Sequence, residues 1–490
     1  MTSKTIQITR WDRGISDDYL NLSDGYLDYC ENVKLGKRSA KQISNITTEI
    51  PIDTDDVQVL LNKLIRIGGS TYAYGKTTAT NYVKVFKIST DGIESLGGSG
   101  TYGGQDNPLF AYYNGYIYYH SGIATLGRVV VSTDANDSSW GSFSSSYGLL
   151  QGGLGWGSYV YCYSDSTNYI YRIDLSAGTV SPMIYIPIDQ TIVELVDYGN
   201  LIAIICSSIY EKSKMYLWDG ANTETFYDVI DIGNGKVAGA DLLDGAITVV
   251  LGDKTYRGLK ILRYNGTQFQ TLVTYQGREQ LSGYRHIIPA SRVKVYGSYL
   301  YFMAYASRPN SSEEYEYSII KYGREDIYNY NALSICKTLE VGEESSSIDY
   351  NDFVIINDEV VSTEDDLKIY ATIYTGSNET TSIYSTIPET FESQPVVIET
   401  GYYDFGYGGR KNLKTIGISF DKLTTGQSVL LKYKIDGDTS WTSFTSFTSG
   451  SYSKLTPNIP FNLIKFRVEG LGGVNINGLI AKAEYSAVEL

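Results

Sequence analysis

Two histidines, His120 and His286, are all the imidazole in this 490-residue chain, and that limits the chemistry open to it. Histidine-based metal centres and serine–histidine nucleophiles both need convergent imidazoles. His120 ends the alternating run YIYYH and reads as a strand-end residue; His286, in YRHIIPA, reads as part of a connection. Cys30, Cys162, Cys206 and Cys336 are all more than 30 residues apart and form no CxxC pair. They are expected to be free, mostly buried thiols of a protein made in a reducing compartment. Carboxylates crowd in DTDD (53–56), DANDSS (134–139) and STEDD (362–366), but none has the glycine and closing glutamate of an EF-hand loop. These read as solvated loops, so no metal and no cofactor is expected.

The catalytic pattern that comes nearest is the S-x-D-x-G-x-T-W turn of sialidases. STDANDSSW (132–140) lacks its glycine and has a longer gap, and KIDGDTSW (434–441) lacks its serine. Such turns are structural even in enzymes. Glycoside hydrolysis would also need paired carboxylates or a tyrosine nucleophile, and sialic acid would need clustered arginines. Nothing in the linear sequence pairs them, so no enzyme is expected. Tyr102 and Tyr147 at loop tips could stack on sugar rings, which keeps recognition of a host-surface glycan as the alternative function. The formal net charge of −15 argues against a protein that grips nucleic acid or an anionic membrane. Basic runs are limited to GKRSAK (36–41) and GGRKNLK (408–414). No window reaches the roughly 18 apolar residues of a spanning helix, and MTSKTIQITRWDRG has no signal-peptide core.

The elements that must position these residues come from a repeat. Gly 49 and Tyr 46, against Met 4 and Phe 14, favour strands and tight turns. An aromatic residue, two small turn residues and four large residues recur as YNGYIYY, WGSYVYC, YGNLIAI, YGSYLYF and YNDFVII. Weaker copies are GGSTYAY and LDGAITV. Counted between Gly69, Asn114, Gly157, Gly199, Asp244, Gly297 and Asn351, the intervals are 45, 43, 42, 45, 53 and 54. A second alternating run follows most copies, as in VKVFKISTDG, NYIYRIDLSAG, KMYLWDG, KILRYNG, SIIKYG and LKIYATIY. Each unit is therefore strand, tight turn, strand, loop, strand.

Units of this length predict an all-β chain with a β-propeller over 51–394. Seven blades are expected, and six or eight would also fit. A parallel β-helix uses shorter coils without hairpins. KQISNITTEI (41–50) could supply the outer strand of the last blade and close the ring. Tyr113, Trp156, Tyr198, Tyr296 and Tyr350 hold one template position, which assigns them to blade packing. After Pro395 five strand-like runs predict a β-sandwich over 395–490. Residues 1–50 read as an extended arm. It is either a leader packed on the propeller or an arm that touches an adjacent subunit through Trp11, Asp12 and Arg13.

Three features together resemble virion proteins of tailed bacteriophages. The first is the opening ITRWDRGISDD followed by CENVKLGK. The second is a tyrosine-rich propeller without enzyme signatures. The third is the ending GYYDFG, LKTIGISFD, DGDTSWTSF and FRVEG before a last apolar strand. Ala40 and Lys41 depart from the pattern, since such leaders often carry proline or glycine after the basic turn. The resemblance implies a structural protein of the virion tail, assembled in the host cytoplasm. It would form a nozzle or hub ring with copies of itself and neighbouring tail proteins. Double-stranded DNA would pass through that ring without specific binding.

Overall fold

The computed structural model describes residues 2–11, 13–16, 26–31, 33–35, 40–42, 46–49, 59–77, 82–89, 92–98, 107–164, 166–252, 258–276, 278–280, 283–285, 287–307, 315–324, 331–338, 348–356, 368–375, 380–386, 395–406 and 409–485. Within them the chain is all β, apart from one 3-10 turn at Ser145–Tyr147. Seven antiparallel blades stand around one axis. Their innermost strands are Val59–Ile67, Phe110–Tyr113, Leu150–Trp156, Thr191–Tyr198, the second half of Asp228–Leu243, Ile287–Tyr296 and Ile348–Ile356. Each touches the innermost strands of the blades before and after it, and the last touches the first. The ring is closed, and the fold is a seven-bladed β-propeller.

Turn chemistry sets the hairpins. Asn114–Gly115 and Asp244–Gly245 have both φ angles positive (50° and 85°, 51° and 73°), the mirror-image turn that matches strand twist. Strand alternation then sends neighbouring residues to opposite blades. Ile117 and Tyr119 pack with Tyr74, Val83 and Val85 of blade 1, whereas Tyr118 packs with Val160 and Cys162 of blade 3. Tyr161 and Tyr163 in turn meet Ile202, Ile204 and Cys206 of blade 4. Ala203 and Ile205 face Ile247 and Val249 of blade 5. Each fully buried aliphatic side chain is worth about 1.5–3 kcal/mol, so neither face of a blade is stable alone.

The seventh template copy departs from expectation. Ile348–Ile356 is one strand paired with Lys368–Thr375, and the Asn351 position is a bulge between Tyr350 and Asp352, not a turn. Tyr350 thus lies within its innermost strand, and LKIYATIY forms the second strand of its blade instead of the third. An Asn-Asp pair between large residues looks alike in a bulge and a hairpin. The last blade is completed by Ile46–Glu49, which pairs antiparallel with Thr380–Thr386.

Beyond Pro395 two sheets face each other over Leu413, Ile416, Ile418, Val429, Leu431, Phe466, Val468 and Leu479. The leader adds strands to both. Thr2–Ile8 pairs with Asn475–Tyr485, and Tyr29–Glu31 pairs with Val396–Glu399. Tyr29–Glu31 also meets the outer strand of blade 6 at Glu31 and Ile335. One nine-stranded sheet therefore runs from the propeller into the sandwich. Trp11 is 1 % exposed within this shared core, so its ring is not available to a neighbouring subunit.

Candidate functional site

Bulges on the innermost strands build the one place where charges from several blades converge among the described residues. The register shifts at Leu61/Lys63, Gln151/Leu154, Ile192/Glu194, Val237/Gly239, Ser291/Val293 and Tyr350/Asp352 recur in six blades. A bulge re-aims the residue beside it. Lys63, Glu194 and Asp352 occupy this equivalent place in blades 1, 4 and 7, and Arg292 and Lys294 flank it in blade 6.

Asp352 is the anchor. Its carboxylate accepts from the Leu64 N–H of blade 1 at 2.7 Å and from Phe353 N–H at 2.8 Å. Lys294 Nζ lies 2.7 Å and Arg292 Nε 3.9 Å from its Oδ1. Lys294 also donates to the Leu64 carbonyl (3.3 Å), and Arg292 donates to the Asn62 carbonyl (3.2 Å). Lys63 Nζ reaches onward to Gly152 O (3.0 Å) and Pro108 O (3.3 Å) of blade 3 and the entry to blade 2. Asp241 repeats the carboxylate device between blades 5 and 6, accepting from Val295 N–H at 2.7 Å. Asn107 donates to Tyr163 OH (2.8 Å), which donates to Val193 O (2.8 Å).

Burial governs the protonation of these groups. Desolvation lowers Lys63 to about 8, although Glu194 and Asp352 oppose it. Desolvation likewise lowers Lys294 against the pull of Asp352. It raises Glu194 in spite of Lys63 and Arg292 nearby, and raises Asp241 in spite of its backbone donors. Lys294 and Arg292 thus hold Asp352, while Lys63 and Asp241 hold strand backbones and Glu194 stands within their field. This arrangement ties blades together. Among the described residues no three histidine, cysteine, aspartate or glutamate side chains come together as a metal ligand set.

A second buried network fastens the leader to the sandwich. Arg467 meets Glu399 at 3.2 Å and Glu469 at 2.6 Å, and Lys465 lies between Glu399 (3.6 Å) and Asp28 (3.5 Å). Trp441 covers both cations at 5.0 and 5.8 Å. The tryptophan of the second sialidase-like turn is thus a packing residue, and Trp140 of the first packs against Tyr118 and Arg128.

The residues singled out by the sequence go elsewhere. Tyr113 OH donates to the carbonyl of Gly157 in the next blade's turn, and Trp156 Nε1 donates to Gly199 O in the turn after it (3.1 Å). Tyr198 contacts Tyr264 of blade 5 at 6.0 Å, and Tyr296 ends its innermost strand opposite Tyr299. Arg13 stacks on Tyr26 at 5.2 Å. His120 is buried against Phe143, and Tyr147 stacks between Phe143 and Tyr171. Asp134 of DANDSS accepts from Tyr72 OH (2.9 Å) and pairs with Lys87. Cys30, Cys162 and Cys206 are buried. Asp12, His286, Tyr102, DTDD and STEDD lie outside the described residues, as does the side chain of Cys336. The axial charges are not apparent from the sequence pattern. Their signal is a single charge inside an apolar run, as in LLNKLI and TIVELV.

No protein-family model and no curated protein matches the chain. Among solved structures, the computationally designed Ika8 protein is 11% identical with a TM-score of 0.41, covering 76% of this chain and 100% of its own. The WD40 domain of Toxoplasma gondii coronin is 8% identical with a TM-score of 0.43, covering 71% and 89%. A glycoside hydrolase is 12% identical with a TM-score of 0.27, covering 90% and 99%. Likenesses this slight carry no assignment. The propeller stands on its own strand ladders.

Proposed function

We propose that the chain is a structural protein of a bacteriophage tail. Copies of it assemble with one another and with neighbouring tail proteins into a ring that forms part of the DNA exit conduit. The carrying observation is that the convergent charges of the propeller axis are engaged in holding blades together. Lys63, Arg292, Lys294, Asp241 and Asp352 all bond to neighbouring strands. The leader and ending that resemble tail proteins fit the same reading, because they join propeller and sandwich through one continuous sheet.

The conduit in this account is the opening of the assembled ring and not the propeller axis, which is lined by these side chains. A net charge of −15 per copy repels duplex DNA and prevents adhesion. Light scattering on the purified chain should report a multiple of the 54.4 kDa monomer. Mixing with duplex DNA at low salt should give no co-migration. A monomer at every concentration, or DNA retention that falls with salt, would count against the proposal.

A further inference from the structure

One flank of the sandwich ends in two open strand edges. Thr442–Phe447 pairs with Ser428–Ile435 and is the last strand of the nine-stranded sheet. Tyr452–Leu455 is the last strand of the facing sheet, along Lys411–Phe420. Only residues 448–451 separate the two, so both edges lie on the same side. An open edge carries a row of backbone donors and acceptors whose natural partner is another strand.

Edges are usually blunted by charge, proline, shortness or a cover. Several other edges among the described residues are. The outer strands of blades 2 and 3 meet at Ser142 and Thr179, and blade 6 is covered by Tyr29–Glu31. The outer strand of blade 1 has only three residues and carries Glu94. On the sandwich flank, TSWTSFTSFTSGSYS (439–453) contains neither a charged residue nor a proline. Two blunting devices are present: the exposed Lys454 on the second strand, and on the first a bulge at Phe444, whose ring packs on Tyr433 at 4.5 Å. Ser443 and Ser446 on either side of it remain exposed.

Charge says which partner fits. Two copies of a chain with net charge −15 repel wherever their surfaces are acidic, and least along an uncharged seam. A basic partner would be drawn to the acidic surface instead. We propose that the uncharged edge strand Thr442–Phe447 is the seam at which a second copy of this chain adds a strand. This rests on the reading that the chain assembles with itself. The competing edge is the outer strand of blade 5, Phe269–Gln276, also uncharged, but with Leu272, Val273 and Tyr275 turned into the chain's own core.

Sedimentation of the full chain over a concentration series tests this, with circular dichroism to verify folding. Ser443→Lys/Ser446→Lys should weaken self-association about tenfold or more, by placing like charges on the seam. The blade 5 control Thr271→Lys/Thr274→Lys should assemble like the original chain. If the original chain assembles and the sandwich variant does so equally well, the seam is overturned while self-assembly stands. Dissociation of the blade 5 variant alone would overturn the seam as well. If the original chain is monomeric throughout, the self-assembly reading fails and the seam with it.

Discussion

The His120 imidazole is 1 % exposed, in ring contact with Phe143 at 5.5 Å, and burial pushes its pKa down to about 4. The unfolded chain takes up this proton near the ordinary value of about 6.5. Stability from this group is therefore complete above that value. It is lost progressively as pH falls towards 4, by about 3 kcal/mol. His120→Phe should flatten this part of the pH profile, read as urea midpoints between pH 7 and pH 4; equal slopes in both proteins would refute the burial account. Asp352→Asn should cost about 3–5 kcal/mol, because it leaves the Lys294 and Arg292 charges without their carboxylate. By contrast, Lys212→Ala breaks an exposed pair with Asp231 and should leave the midpoint unchanged. None of the axial pairing is legible in the sequence. Asp352 and Leu64 are 288 positions apart, and only ring closure brings them together.

Hairpins are the most legible elements, since their turns are encoded in adjacent residues. Bulges are not, because the extra residue is defined by the partner strand, and Asn351 resembles a turn residue for that reason. Two glycines two positions apart separate local from packing causes. Gly157 has φ +60° and open space around its α-carbon, so Gly157→Ala should cost about 1–2 kcal/mol of backbone strain. A Cβ on Gly155 would stand 2.3 Å from the Tyr113 ring of the preceding blade. Gly155→Ala should cost about 1–3 kcal/mol by overpacking. Replacing Tyr113 by alanine should relieve the Gly155 variant and not the Gly157 variant. Chemical denaturation of the double mutants reads this, and equal relief at both sites would contradict the packing role of Tyr113.

A strand-by-strand reading of the sequence separates leader, propeller and sandwich more than the molecule does. The leader closes the last blade through Ile46–Glu49, enters both sandwich sheets and buries Trp11 in the core that sandwich and propeller share. The closing strand is foreseeable from its position and pattern. The burial of Trp11 is not, since its core comes from residues hundreds of positions away. Because one sheet runs through both parts, propeller and sandwich should unfold in a single calorimetric transition; two resolved transitions would show that the junction is weak. The central claim concerns assembly, and electron microscopy of the purified full chain tests it most directly. The account predicts closed rings with a central opening built from many copies. Isolated propeller-sized particles at every concentration would contradict it.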